Sequence, residues 1–101
     1  MRQSRKFMRR VIESRPYRKD LKRAGRGVYR YVLDDELPDV IGMLANDIPL
    51  TPKNRDHPLH GMYEGFRECH VKPDFLLMYR LEGDDVLRLE RLGSHAELFG
   101  I

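Results

Sequence analysis

Residues 74–92, DFLLMYRLEGDDVLRLERL, decide the fold. Successive side chains of a strand point to opposite faces, so Phe75, Leu77, Tyr79 and Leu81 share one face and Leu76 and Met78 the other. Apolar residues on both faces predict a central strand. Gly83-Asp84-Asp85 supplies a tight hairpin turn, and Val86 to Leu92 a return strand. On that strand Leu87, Leu89 and Arg91 share a face by parity. An arginine in register with a core face, at a strand's end, either snorkels to the rim or lines a cleft.

Upstream of this hairpin, residues 62–70 alternate loosely and predict a further strand, after an irregular loop from Thr51 to Gly61. The period changes before that loop. Leu37, Val40, Ile41, Leu44 and Ala45 form one helical face, with Asp34 or Asp35 to cap it and Pro38 in its first turn. Asn46-Asp47 and Pro49 stop it. Val28, Tyr31 and Val32 begin an earlier helical stripe that the acidic cluster Asp34-Asp35-Glu36 interrupts. Pro16 opens the first helix, on which Tyr17, Leu21 and Ala24 form the inner stripe and Gly25 or Gly27 the end. Residues 8–13 read as a strand ahead of it, and the tail SHAELFGI allows a turn of helix at most. The expectation is an α+β fold: a small, mainly antiparallel sheet of about four strands with two N-terminal helices packed on one face.

A chain of 101 residues is one domain's worth, and with 41% hydrophobic and 35% charged residues it can build one core under a charged surface. No apolar run approaches the roughly 18 residues of a membrane span, and no apolar stretch of a secretory signal follows the basic N-terminus, so the reading is a cytoplasmic protein without membrane contact. One cysteine, Cys69, excludes an intramolecular disulfide and reads as a small buried hydrophobe. Charge is unevenly spread. Residues 1–30 hold 12 Lys/Arg and two acids, whereas residues 31–101 hold 7 Lys/Arg and 14 acids. The basic third fits a polyanion, nucleic acid first; the alternative is a solvated helix face carrying Arg18, Lys19, Lys22, Arg23 and Arg26.

His57 lies in a loop, His70 ends a strand, Asp74 follows it, and His95 stands just past the last strand. In a meander the end of one strand lies beside the start of the next, so His70, Asp74 and the segment from Arg91 to His95 converge at one rim. His60 reads as an incidental loop histidine. The spacings show no metal motif, and no phosphate loop, GxSxG or HExxH occurs, so neither metal nor cofactor is expected. A His/Asp/Arg set on a partly basic protein suits RNA cleavage by the substrate's own 2′-hydroxyl. That reaction needs a base, an acid for the departing 5′-oxygen and a fixed cation for the phosphate charge.

Asp56-His57-Pro58-Leu59, Gly65-Phe66-Arg67-Glu68, His70-Val71-Lys72-Pro73-Asp74, Arg91-Leu92-Gly93-Ser94-His95 and Leu98-Phe99-Gly100 occur in order over residues 47–100. Together they resemble the YafQ family of type II toxins, within the RelE/ParE superfamily. The resemblance implies a single RelE-like toxin domain over residues 1–101, with residues 1–7 an extension. It also implies a ribosome-dependent messenger-RNA endoribonuclease, neutralised by a cognate antitoxin and binding operator DNA as the complex. By the same resemblance His57, His70, Asp74 and His95 match acid/base positions, with His95 the proton donor. Arg91 matches the phosphate-binding arginine, and Phe99 the C-terminal aromatic that engages RNA. Phe75 stands where the family often has Trp, so stacking or packing is kept and the indole N–H donor is lost. Two other readings belong to the same fold: a gyrase-directed toxin of the ParE branch, and a non-catalytic member that binds an antitoxin and DNA.

Overall fold

The computed structural model describes residues 8–100, so the extension expected at residues 1–7 lies outside the described residues. A short strand, β1 (Arg10–Glu13), comes first and is followed by α1 (Arg15–Ala24). Ser14 links the two: its hydroxyl accepts from the Tyr17 amide at 3.1 Å and donates to the Glu90 carbonyl at 2.9 Å. Pro16 sits in the first turn, where a missing N–H is tolerated. Tyr17 and Asp20 are buried, Leu21 and Ala24 half-buried, and Gly25 closes the helix. The interrupted stripe becomes a tight 3-10 helix, Arg30–Asp34, before α2 (Glu36–Ala45). Asp35 stands at the N-cap of α2, but its side chain makes no capping hydrogen bond.

Four more strands complete the sheet: β2 (His57–Pro58), β3 (Arg67–Lys72), β4 (Phe75–Glu82) and β5 (Val86–Gly93). The order is β1-β5-β4-β3-β2, with β1 parallel to β5 and the other pairs antiparallel. The sheet thus has five strands rather than about four, and it is mixed. The two-residue β2 has no periodicity to read, and the β1–β5 pairing joins opposite ends of the chain. The strand expected over residues 62–70 starts later, because Gly61–Tyr63 form a 3-10 turn. The tail folds as a third helix, α3 (His95–Phe99), with a full capping box between Ser94 and Glu97.

Phe75, Leu77, Tyr79, Leu87, Leu89 and Leu92 pack with Tyr17 of α1 and with Leu37, Val40, Leu44 and Ala45 of α2 in one core. Each buried leucine contributes about 1.5–3 kcal/mol relative to exposure. Leu76 and Met78 are fully buried outside that cluster, as a central strand requires, whereas Leu81 runs past the helices and is exposed. Parity fails at one place. A bulge lets Tyr79 pair with Leu89 and Met78 with Arg91, so Glu90 is the extra residue and Leu92, not Arg91, continues the core face. The register also sets Leu76 opposite Gly93, which delivers the Asp74 turn and the His95 helix to the same rim.

Candidate active site

The rim carries three imidazoles in a row. Ring centroids lie 6.2 Å apart for His57 and His70 and 5.7 Å apart for His70 and His95. They come from β2, β3 and the first residue of α3, three elements remote in sequence that the strand register makes neighbours.

His95 is tied to the β3–β4 turn. Asp74 Oδ1 accepts from the His95 backbone amide at 2.9 Å and from ring Nδ1 at 2.6 Å. The backbone bond first, then the ring bond, hold the Asp74 carboxyl below its ordinary range. With Nδ1–H committed to Asp74, Nε2 is the atom left for proton transfer.

The other two rings face a buried acid. His57 Nδ1 lies 2.6 Å from the Arg55 carbonyl, and His70 Nδ1 lies 3.1 Å from the Pro73 carbonyl. Carbonyls only accept, so both Nδ1 atoms donate and both Nε2 atoms turn to Glu68 Oε2, at 3.3 and 3.7 Å. Such contacts are attractive only when a proton lies between ring and carboxyl. The Glu68 side chain is 6% exposed, and its Oε1 is a buried oxygen with no hydrogen-bond partner. A buried carboxyl group with an unpartnered oxygen, set between two imidazoles, is a place where a proton can be shared and passed.

Glu68 did not stand out in the sequence, where an acid in an amphipathic strand reads as solvated. The signal that finds it is parity with His70, two residues on, which puts both on one face. His57, Glu68 and His70 also bring one ligand atom each within 4.8 Å of one another, so space offers three metal donors where sequence spacing showed no motif.

Arg91 is half-buried, and its Nε and Nη2 bind Asp20 at 2.6 and 3.2 Å. That bond first, and Tyr63 among the lesser neighbours, raise its pKa. One edge of the guanidinium is therefore occupied, and the edge bearing Nη1 is the one able to meet a phosphate. Phe99 meets Tyr63 edge-on at 5.7 Å, so aromatic surface adjoins Arg91. Phe75 departs from the expected RNA contact. It is 3% exposed and stacked on Tyr29 at 5.0 Å, so its ring packs the core and offers no face to a base. Cys69 is fully buried, and burial pushes its thiol up to about 12, as a small inert hydrophobe should be.

The profile of the family described as bacterial toxin of type II toxin-antitoxin system, YafQ, matches residues 9–100. The chain is 42% identical to the mRNA interferase toxin YafQ of Escherichia coli K12 over 96 residues, 93% of this chain and all of the relative. It is 28% identical over 90 residues to a putative toxin YafQ of Haemophilus influenzae, covering 86% of this chain and 88% of the relative. Among solved structures, the E. coli DinJ–YafQ toxin–antitoxin complex matches with a TM-score of 0.78 at 40% identity, over 93% of this chain and 100% of that one. A metal-bound toxin from Helicobacter pylori matches with a TM-score of 0.80 at 42% identity, over 92% of this chain and 100% of that one.

Proposed function

The chain belongs to the YafQ family of type II toxin–antitoxin toxins, and on that premise we propose that it is an mRNA interferase, a metal-independent endoribonuclease neutralised by a cognate antitoxin. Ribosome-bound messenger RNA is its substrate, the toxin–antitoxin complex binds operator DNA, and the whole acts in the cytoplasm as one toxin domain. Among the described residues no helix is long and apolar enough to cross a membrane.

The observation that supports the chemistry is the division of the histidine row into two halves. Glu68, with His57 and His70 against its Oε2, forms the accepting half; His95, backed by Asp74, forms the donating half. Glu68, or His70 through it, takes the proton of the 2′-hydroxyl. The 2′-oxygen attacks the adjacent phosphorus, and the bond from phosphorus to the 5′-oxygen breaks. His95 Nε2–H protonates that 5′-oxygen, which leaves a 2′,3′-cyclic phosphate and a 5′-hydroxyl. Arg91, aimed by Asp20, offers its remaining edge to the charge that develops on phosphorus oxygens. In this scheme Asp74 orients His95 and is not itself the base.

Induced expression followed by mapping of RNA 5′ ends tests the reading. Codon-phased cuts with cyclic-phosphate termini are expected, and His95→Ala should lower the rate about 10²–10⁴-fold with its fold retained by circular dichroism. Growth arrest with intact RNA and broken DNA would instead indicate gyrase poisoning, and unchanged cutting by His95→Ala would remove it from the mechanism.

A further inference from the structure

A depression opens beside the Asp74–His95 pair, between the end of α1 and the start of α3. It encloses roughly 500 Å³ and is lined by Ala24, Arg26, Gly27 and Val28 on one side and by Asp74 and Ser94 on the other. That volume lies within the range of small-ligand sites, roughly 300–1,000 Å³. We infer that this cleft binds the nucleotide flanking the cleaved phosphodiester and sets the base preference of the cut. The inference rests on the ribonuclease reading above.

Three observations point to a nucleotide. First, the cleft is continuous with the site: Asp74 holds His95, and Ser94 is the residue before it. An RNA strand with its scissile phosphate at His95 has its neighbouring nucleotide at the mouth of this cleft. Second, the charges of the wall pair off except for one cation: Asp74 is taken up by His95 and Glu97 by Arg23. Arg23 is fixed there by Asp20 at 3.1 Å, Glu97 at 3.1 Å and the Leu92 carbonyl at 3.1 Å, whereas the exposed Arg26 guanidinium makes no hydrogen bond or ion pair among the described residues. A free arginine there can meet a phosphate or the edge of a base. Third, Val28 is 79% exposed, and the stacked Tyr29–Phe75 pair lines the cleft behind it. An apolar surface beside an arginine is how single-stranded bases are held, by contact with their faces and charge on their backbone. This also gives Phe75 a place in recognition without contact: it is the support behind Tyr29.

The test compares Arg26→Glu and Val28→Glu with Lys19→Glu, an exposed residue of α1 that does not line the cleft. Translating ribosomes are treated with each protein and the cut sites counted. Both cleft variants should change the ratio of cuts between codons and lower kcat/KM at the preferred one about tenfold. Lys19→Glu should lower all sites in proportion. In parallel, a short RNA with 2′-deoxyribose at the cut position should shift the backbone amide resonances of Gly27 and Val28. Unchanged cut ratios in both cleft variants, or amide shifts confined to the histidine row, would overturn the inference. So would lost antitoxin binding with unaltered cutting, which would give the cleft to the antitoxin. A wild-type protein that cuts no RNA would instead defeat the ribonuclease reading itself.

Discussion

Replacing Glu68 by Gln should leave this protein about as stable and make it far less active. The two side chains have the same shape, so no cavity forms at a site that is 6% exposed. The carboxylate has a buried Oε1 without a partner and an Oε2 facing two ring nitrogens whose Nδ1 atoms are already donors. A carboxamide keeps that shape and can turn its NH₂ toward the two Nε2 atoms, but its oxygen then takes the same unpartnered Oε1 position. The unmet buried oxygen, a cost of about 1–3 kcal/mol, is then present in both proteins, so stability should change by less than about 1 kcal/mol. For a chain of this size that is a change in Tm of less than roughly 4–8 °C. The amide cannot accept the 2′-hydroxyl proton, so the cleavage rate should fall about 10²–10⁴-fold. Thermal melting at neutral pH, beside cleavage of ribosome-bound messenger RNA, reads both effects on one preparation. A Gln variant that melts earlier and still cuts at the wild-type rate would refute the reasoning and make Glu68 a structural member of an ion pair.

Arg91→Lys should recover only part of the activity that Arg91→Ala loses, since an ammonium can replace the charge but not the two-edged geometry that meets Asp20 and phosphate together; cutting at the wild-type rate by the Ala variant would discard the role. Reversing Arg18 and Lys22, both exposed on the outer face of α1, should weaken ribosome binding and flatten its salt dependence without altering the melting temperature; unchanged affinity would return that face to simple solvation. Arg88, then Arg80, pull Glu82 from 4.5 down to about 2, so its contribution to stability is full above pH 4.5 and lost as the pH falls toward 2. Glu82→Gln should therefore flatten the acid limb of the stability profile in that window, read by melting temperatures at pH 2 to 5, and an unaltered limb would show the carboxylate to be thermodynamically idle.

What the sequence made legible was local. The β4–β5 hairpin announces itself because both strands carry period-two apolar residues and the turn between them is Gly83-Asp84-Asp85. α1 and α2 do so through a proline in the first turn and an apolar stripe within about ten residues, whereas the cap expected from Asp35 makes no hydrogen bond. What stayed hidden depended on distant partners. Nothing in Arg10–Glu13 says that it runs parallel to a strand more than seventy residues away, and His57–Pro58 is a strand only because β3 lies beside it. The bulge at Glu90 shows how one residue misleads. Strict parity put Arg91 inward with Leu89, whereas the bulge gives that place to Leu92 and leaves Arg91 to Asp20. The meander topology brought His70, Asp74 and His95 to one rim and the resemblance gave them roles; Glu68 required the fold, because its meaning lies in burial between two rings.

The active rim is built from pieces too small to hold themselves. β2 has two residues and α3 five, lengths that have no independent stability in water. Their positions come from the core behind them. Tyr79, 1% exposed in the central strand, sends its hydroxyl 2.6 Å to Asp56 Oδ1, and Arg67 binds that same oxygen at 3.3 Å, which anchors the chain beside His57. Asp20, buried on α1, holds Arg91 and the Leu92 amide, while Arg23 clamps Glu97 of α3, two residues from His95. A Cβ at Gly93 would lie 2.8 Å from Arg23 Nη2 and from Glu97 Oε1, so a side chain there would push that clamp aside. The basic helix therefore does more than carry charge. Its inner face braces the strand end and the helix that bear Arg91 and His95, so one helix positions both groups of the proposed site.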